Sequence, residues 1–230
     1  MNEQVPLSPV DPWMLKNLRE HVHGLVRKAI ISGRLKAGEK LNERRLATEL
    51  GISTTPLKEA LRQLEAEGLV RTEARRGSYV TFNARQAEEM TLARAALESM
   101  IARQAAKHIE KSHVLRLSET LEQMKSALLV ADLDELIALN EKFHDAIHEA
   151  SGCQYLRRLQ SNQRMYNHET RLLVLAEAHE RERSFHEHTA IFEAINLRDQ
   201  DLAEKRMREH VMTAGEEHVR RVFGWQALGD

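Results

Sequence analysis

The chain is poor in residues that cross-link polypeptides and in residues that interrupt helices. Cys153 is the single cysteine among 230 residues, so no internal disulfide can form and no thiolate cluster can hold a metal. Such usage fits a reducing compartment, and a cytoplasmic location is expected. No apolar run is long enough to span a bilayer or to serve as the core of a secretory signal, which excludes a membrane role. The four prolines (Pro6, Pro9, Pro12 and Pro56) all precede residue 60, and from Asn83 to Ala214 Gly152 is the one glycine. A stretch so free of breakers, rich in Ala, Leu, Glu and Arg, predicts almost continuous helix. Neither sign of charge dominates, yet the net charge of -1 conceals a split. Residues 1–82 carry 14 basic and 10 acidic side chains, and residues 83–230 carry 20 and 25. Only the first part is expected to meet a polyanion.

What is present gives four segments: a flexible arm over 1–10, a first domain over 11–82, a helical domain over 83–222 and a tail over 223–230. Helix one runs from about Trp13 to Ile31, with Leu15, Leu18, Val22, Leu25, Val26, Ala29 and Ile30 at the spacing of one buried face. Gly33 and Gly38 stop it. Helix two covers about Glu43 to Leu50. Ser53 or Thr54 caps helix three, which holds Pro56 in its first turn, where a missing N–H does no harm. Two short β-type runs follow, Leu69–Thr72 and Ser78–Phe82, around a turn bearing Arg75 and Arg76. Three helices and a basic hairpin in that order predict a winged helix-turn-helix. The start of helix three can then enter a major groove, and the hairpin tip can reach the neighbouring backbone. The fold class expected is mainly α: this unit plus an all-α bundle of about six helices.

The segment AIISGRLKAGEKLNERRLATELGISTTPLKEALRQLEAEGLVRTEARRGSYV carries a more specific signal. It resembles the DNA-binding domain of the GntR family of bacterial regulators. Four further motifs resemble the FCD-type sensing domain of that family's FadR branch, in its shorter VanR-like form. They are Arg94–Glu98 (RAALE), Asn140–Gly152 (NEKFHDAIHEASG), Glu187–Ile195 (EHTAIFEAI) and Met207–Val211 (MREHV). The resemblance implies a ligand-responsive, homodimeric transcription regulator, a repressor rather than an enzyme, with double-stranded operator DNA and a small organic acid as its partners. Two-fold related half-sites require two copies.

By the same resemblance the DNA contacts fall on Arg44 and Arg45 in helix two, on Ser53, Thr54, Thr55 and Lys58 at the start of helix three, and on Arg75, Arg76 and Gly77 in the wing. Arginine and lysine neutralise phosphates or reach guanine edges, small hydroxyls approach phosphate oxygens, and glycine permits a turn of positive φ. Thr54 and Lys58 stand where relatives often carry arginine. Threonine cannot make a bidentate guanine contact, and lysine lacks the fork geometry, so the operator sequence does not carry over.

In the helical part, Asn140 and His144 share the apolar stripe of Leu133, Leu136, Ile137, Phe143 and Ile147 at i and i+4, so both point inward. His188 precedes Ile191, Phe192 and Ile195. His210 lies between Met207 and Val211, and Arg94 among Met90, Leu97 and Ile101. Polar groups converging on an interior need partners. The resemblance implies a divalent ion on Asn140, His144, His188 and His210. Three imidazoles and an oxygen suit a Zn, Ni or Mn type ion. An effector carboxylate would complete it and pair with Arg94. Asn140 replaces the commoner Asp, which removes a negative charge and makes the ion more dependent on an anionic ligand. Glu98 reads as a helix-packing residue, and His148, His168, His179, His186 and His218 as surface or supporting residues. Two alternatives stand beside this: a metal-free pocket for an acyl-CoA or sugar acid, and a metal-dependent hydrolase built on the His144–Asp145 pair. Neighbours on a helix diverge by about a hundred degrees, which speaks against the second.

Overall fold

A computed structural model describes residues 12–161 and 164–224, with side chains at 17–160, 168 and 170–224. The expected arm and residues 225–230 of the expected tail lie outside them. The chain divides into two compact units, 1–83 and 84–230.

The first unit holds α1 (Pro12–Ile31), β1 (Lys40–Leu41), α2 (Glu43–Glu49), α3 (Thr54–Ala66), β2 (Val70–Glu73) and β3 (Gly77–Val80). The strands form an antiparallel sheet in the order β1-β3-β2. β1 was not legible in the sequence, because two residues carry no alternation; it is fixed by the Lys40↔Tyr79 and Leu41↔Ser78 pairing. The core is Val22, Val26 and Ile30 from α1 packed on Leu57, Leu61 and Leu64 from α3, closed by Leu41, Val80 and Phe82. Leu25, expected inside, is 40% exposed; on a narrow buried stripe it falls to the outer edge. The ends of α1 and α3 are tied by polar contacts. His23 Nε2 lies 2.7 Å from Glu67 Oε1, and Arg27 Nε lies 3.2 Å from Glu67 Oε2. A buried cation with a carboxylate partner avoids the cost of an uncompensated charge.

The second unit is all α: α4 (Ala84–His108), α5 (Lys111–Leu129), α6 (Leu133–Ala150), α7 (Gln154–Ser161), α8 (Arg164–Val174), α9 (Ala178–Asn196) and α10 (Gln200–Phe223). The all-helical expectation holds, but seven helices are described rather than about six. Gly152, at φ 66, follows the end of α6, and two short helices, α7 and α8, come after it. Asp132 caps α6 through Glu135 N at 3.1 Å, and Asp199 caps α10 through Leu202 N at 3.0 Å. The core runs through Ile101, Leu117, Phe143, Ile147, Ile191, Met207 and Val211.

Helices α4 and α10 approach closely at Gly215. A Cβ placed on Gly215 would come 2.1 Å from Thr91 Cγ2, and the Thr91 hydroxyl is held by Ala87 O at 2.9 Å. Gly215→Ala should therefore overpack the seam and destabilise the unit by about 1–3 kcal/mol. The Thr91→Ala background should return part of that loss. Urea-unfolding midpoints of the two single variants and the double variant measure the coupling.

Candidate functional site

The residues expected to meet DNA lie on three pieces of the first unit. Arg44 and Arg45 are exposed in the first turn of α2, which Asn42 caps by accepting from Arg45 N at 3.0 Å. Ser53 is the backbone N-cap of α3, but its hydroxyl makes no cap hydrogen bond. Thr54 is half-buried, and Thr55 and Lys58 are exposed. Lys58 Nζ stands 3.8 Å from Glu43 Oε2. In the wing, Glu73 pairs with Gly77 across a three-residue turn. Arg75 takes φ 65 and Gly77 φ 102, and a Cβ on Gly77 would lie 3.2 Å from Lys40 Cε. Arg76 is held loosely, 3.5 Å from Glu73 Oε2, while Arg71 takes the other oxygen of Glu73 at 2.7 Å. One carboxylate thus pairs with two guanidinium groups, and with Arg75 as a third cation the wing keeps a positive excess. Arg71 escaped the sequence reading. Exposed ion pairs of this kind are worth about 0–1 kcal/mol, so a phosphate can replace them.

In the second unit, Asn140 and His144 from α6, His188 from α9 and His210 from α10 are all buried. Nitrogens of the three histidines lie within 4.8 Å of one another. The His188 and His210 rings are 4.6 Å apart, and His144 is 5.4 Å from His188 and 5.5 Å from His210. Asn140 Oδ1, His144 Nε2 and His188 Nε2 are buried without hydrogen-bond partners. Carboxylates hold two of the rings from behind: Glu98 Oε2 lies 3.1 Å from His144 Nδ1, and Glu187 Oε2 lies 2.7 Å from His210 Nδ1. A carboxylate on Nδ1 fixes the tautomer and leaves the Nε2 lone pair facing the centre. Burial pushes His144 down to about 3, against the pull of Glu98. Burial, reinforced by the charges of His210, His144 and Arg171, also holds His188 well below the usual histidine range. Both rings are therefore neutral near pH 7, the form that offers a lone pair.

Glu98 is more than the packing residue expected from sequence. One oxygen meets His144 and also His148 Nε2 at 3.2 Å; the other accepts from Gln160 Nε2 at 2.8 Å and faces Arg94 Nε at 3.5 Å. Burial alone would raise its carboxyl. The charge and hydrogen bond of His144, with those of His148, outweigh burial and hold it well below the usual carboxylate range. The i,i+4 spacing of Arg94 and Glu98 was the only sequence signal for this hub. Of the histidines read as surface or supporting residues, His148 and His218 are buried, with His148 supporting Glu98; His179 and His186 are exposed, and His168 is half-buried against Glu141. Asp145 is outside the histidine cluster.

Arg94, Asn140 and His210 line one cavity of about 350 Å³, partly open, together with Thr170, Arg171 and Ser184. The sequence reading missed Thr170 and Arg171, which no inward stripe announces. A second cavity of about 250 Å³ on the other side of Asn140 and His188 is lined by Met124, Leu136 and Phe185.

A three-helix unit with a basic β-wing, joined to a helical unit with polar groups gathered in its interior, defines a DNA-binding transcription regulator. Residues 18–80 match the bacterial regulatory proteins of the gntR family and residues 89–213 match the FCD domain; the chain belongs to the GntR family and carries an FCD domain. It is 26% identical to the HTH-type transcriptional repressor RspR of Escherichia coli over 217 residues, 94% of this chain and 93% of RspR. It is 29% identical to the HTH-type transcriptional regulator YdhC of Bacillus subtilis over 187 residues, 80% of this chain and 84% of YdhC. The solved structure of E. coli McbR/YncC shares the fold at a TM-score of 0.61 and 22% identity, covering 85% of this chain and 94% of that one. These relatives are regulators, not enzymes. Among the described residues no helix is long and apolar enough to cross a membrane.

Proposed function

We propose that the chain is a homodimeric repressor, released from its operator when a small organic acid binds a metal-containing pocket in the second unit. Residues 11–82 read the DNA, through Arg44, Arg45, Ser53, Thr54, Thr55, Lys58, Arg75, Arg76 and Gly77. Residues 83–222 bind the effector and hold the dimer.

The observation that carries the sensing role is the set of unpartnered buried acceptors. Asn140 Oδ1, His144 Nε2 and His188 Nε2 lose their water on folding and gain nothing in exchange. An orphaned buried acceptor costs about 1–3 kcal/mol, and three beside a fourth donor, His210, fit a divalent ion with nitrogen and oxygen preference. The ion would supply a Lewis-acidic anchor for a carboxylate, which Arg94 would orient from α4. None of the four donors is a carboxylate, so an anion favours occupancy more than it would beside a ligating Asp. Release from DNA requires that the effector bind the free and operator-bound states with different affinity. Because α4 follows directly on residue 83, the helix bearing Arg94 and Glu98 is the one through which the two units are joined in the chain.

The test is binding of the protein to its own upstream promoter fragment, followed by fluorescence anisotropy while metal and small carboxylates are added. Salt-sensitive binding that falls when both metal and an acid are present is expected. Binding that ignores every metal and every acid would remove the sensing role and leave the DNA-binding one.

A further inference from the structure

The cavity shared by the metal candidates and Arg94 has two chemically distinct walls. On one, Asn140 and His210 present lone pairs. On the other stand donors. Thr170 is 1% exposed, and its Oγ1 has no hydrogen-bond partner. Arg94 Nε is likewise without one, because its neighbour Glu98 is already taken by His144, His148 and Gln160. Arg171, from α8, has an 11% exposed side chain, and its closest carboxylate oxygen is Glu141 Oε1 at 3.7 Å. That same oxygen holds His168 Nδ1 at 2.7 Å. Arg183 also lines the cavity but is saturated by Glu180 and Glu187. Of three arginines on this wall, two are under-paired.

A buried guanidinium whose carboxylate partner is shared with other groups and stands beyond ordinary hydrogen-bond length is costly, and two of them on one wall are more so. Burial, with the charge of Arg94 adding to it, pushes Arg171 down to about 10, while Glu98, Glu141 and Asp145 pull the other way. A single carboxylate placed on the metal and Arg94 satisfies one guanidinium and leaves Arg171 and Thr170 as they are.

We propose that Arg171 and Thr170 form a second anion subsite, so that the effector is a short dicarboxylate with one acid group on the metal and Arg94 and the other on Arg171 and Thr170. This rests on the metal-pocket reading above. Arg171 offers the two-pronged donor face that matches a carboxylate, and the Thr170 hydroxyl adds a third donor. Val174, Leu175 and Ala214 close the cavity with apolar surface and leave little free space, which limits the length between the two acids.

The experiment is calorimetry on the full chain loaded with Ni²⁺, using acetate, propionate and butanoate against malonate, succinate and glutarate. At least one diacid should bind tenfold or more tightly than the monoacid of the same carbon number. Arg171→Gln should erase that advantage, weakening the diacid tenfold or more and the monoacid far less. Thr170→Val, which keeps the shape, should erase part of it, and melting curves confirm that both variants fold. Equal affinity for both series, or equal weakening of both by Arg171→Gln, overturns the second subsite while leaving the first in place. If no acid binds and no Ni²⁺ is retained, the metal-pocket reading itself fails, and this inference with it.

Discussion

Replacing His188 with alanine should strip the protein of the divalent ion proposed for its second unit. His188 comes from α9 and faces the two other candidate histidine ligands, His144 and His210, from other helices. Loss of a direct ligand is expected to weaken metal binding more than loss of a supporting group, which typically costs about 10–100-fold. His188→Ala should therefore exceed about 100-fold, while Glu98→Gln, which keeps shape but loosens the hold on His144 Nδ1, should fall within the lower range. The ranking matters more than either value. If the four residues were an ordinary polar core, both variants would change melting temperature and neither would change metal content. Metal analysis of the purified proteins, with titration of the stripped proteins by Zn²⁺ or Ni²⁺, decides between these. DNA binding without effector should survive in both variants, because every residue assigned to the operator lies in the other unit.

The second large effect is expected at the wing and the recognition helix, and the two should differ in kind. Arg75→Ala and Arg76→Ala remove charges proposed to meet phosphates. Each should weaken binding to all sequences alike and lower the slope of log affinity against log salt by about 0.9. Lys58→Ala acts at the start of α3, where a cation can reach a guanine edge. It should cost about 1–3 kcal/mol on the operator and less on unrelated DNA, so the specificity ratio falls. Anisotropy titrations on operator and scrambled duplexes at several salt concentrations separate the two. A Lys58→Ala variant that loses affinity equally on both duplexes would place Lys58 on the backbone rather than on a base.

The helices of the first unit could be read from the sequence because apolar stripes mark their buried faces and Gly33, Gly51 and Gly68 follow their ends; in the second unit the scarcity of glycine and proline announces helix but not its boundaries. The inward direction of Asn140, His144, His188 and His210 was legible for the same reason, since a polar residue inside an apolar stripe declares its face. What was not legible depends on residues far apart in the chain. Glu98 meets His144, His148 and Gln160 at separations of 46, 50 and 62 residues, and no local pattern encodes such a meeting. Thr170 and Arg171 sit on a short helix whose burial depends on what packs over it. β1 exists only because β3 pairs with it. The surplus helix in the second unit arose because periodicity marks a buried face well and a helix end poorly.

The turn that carries Arg75 has one consequence for how this protein can change. Its backbone is left-handed at φ 65, a conformation that side chains other than Gly, Asn and Asp resist. Glycine there would relax the loop and strengthen the hairpin, yet it would subtract a guanidinium from the grip on nucleic acid. At this position durability and affinity are opposed, and variants selected for heat resistance alone should drift toward weaker repression.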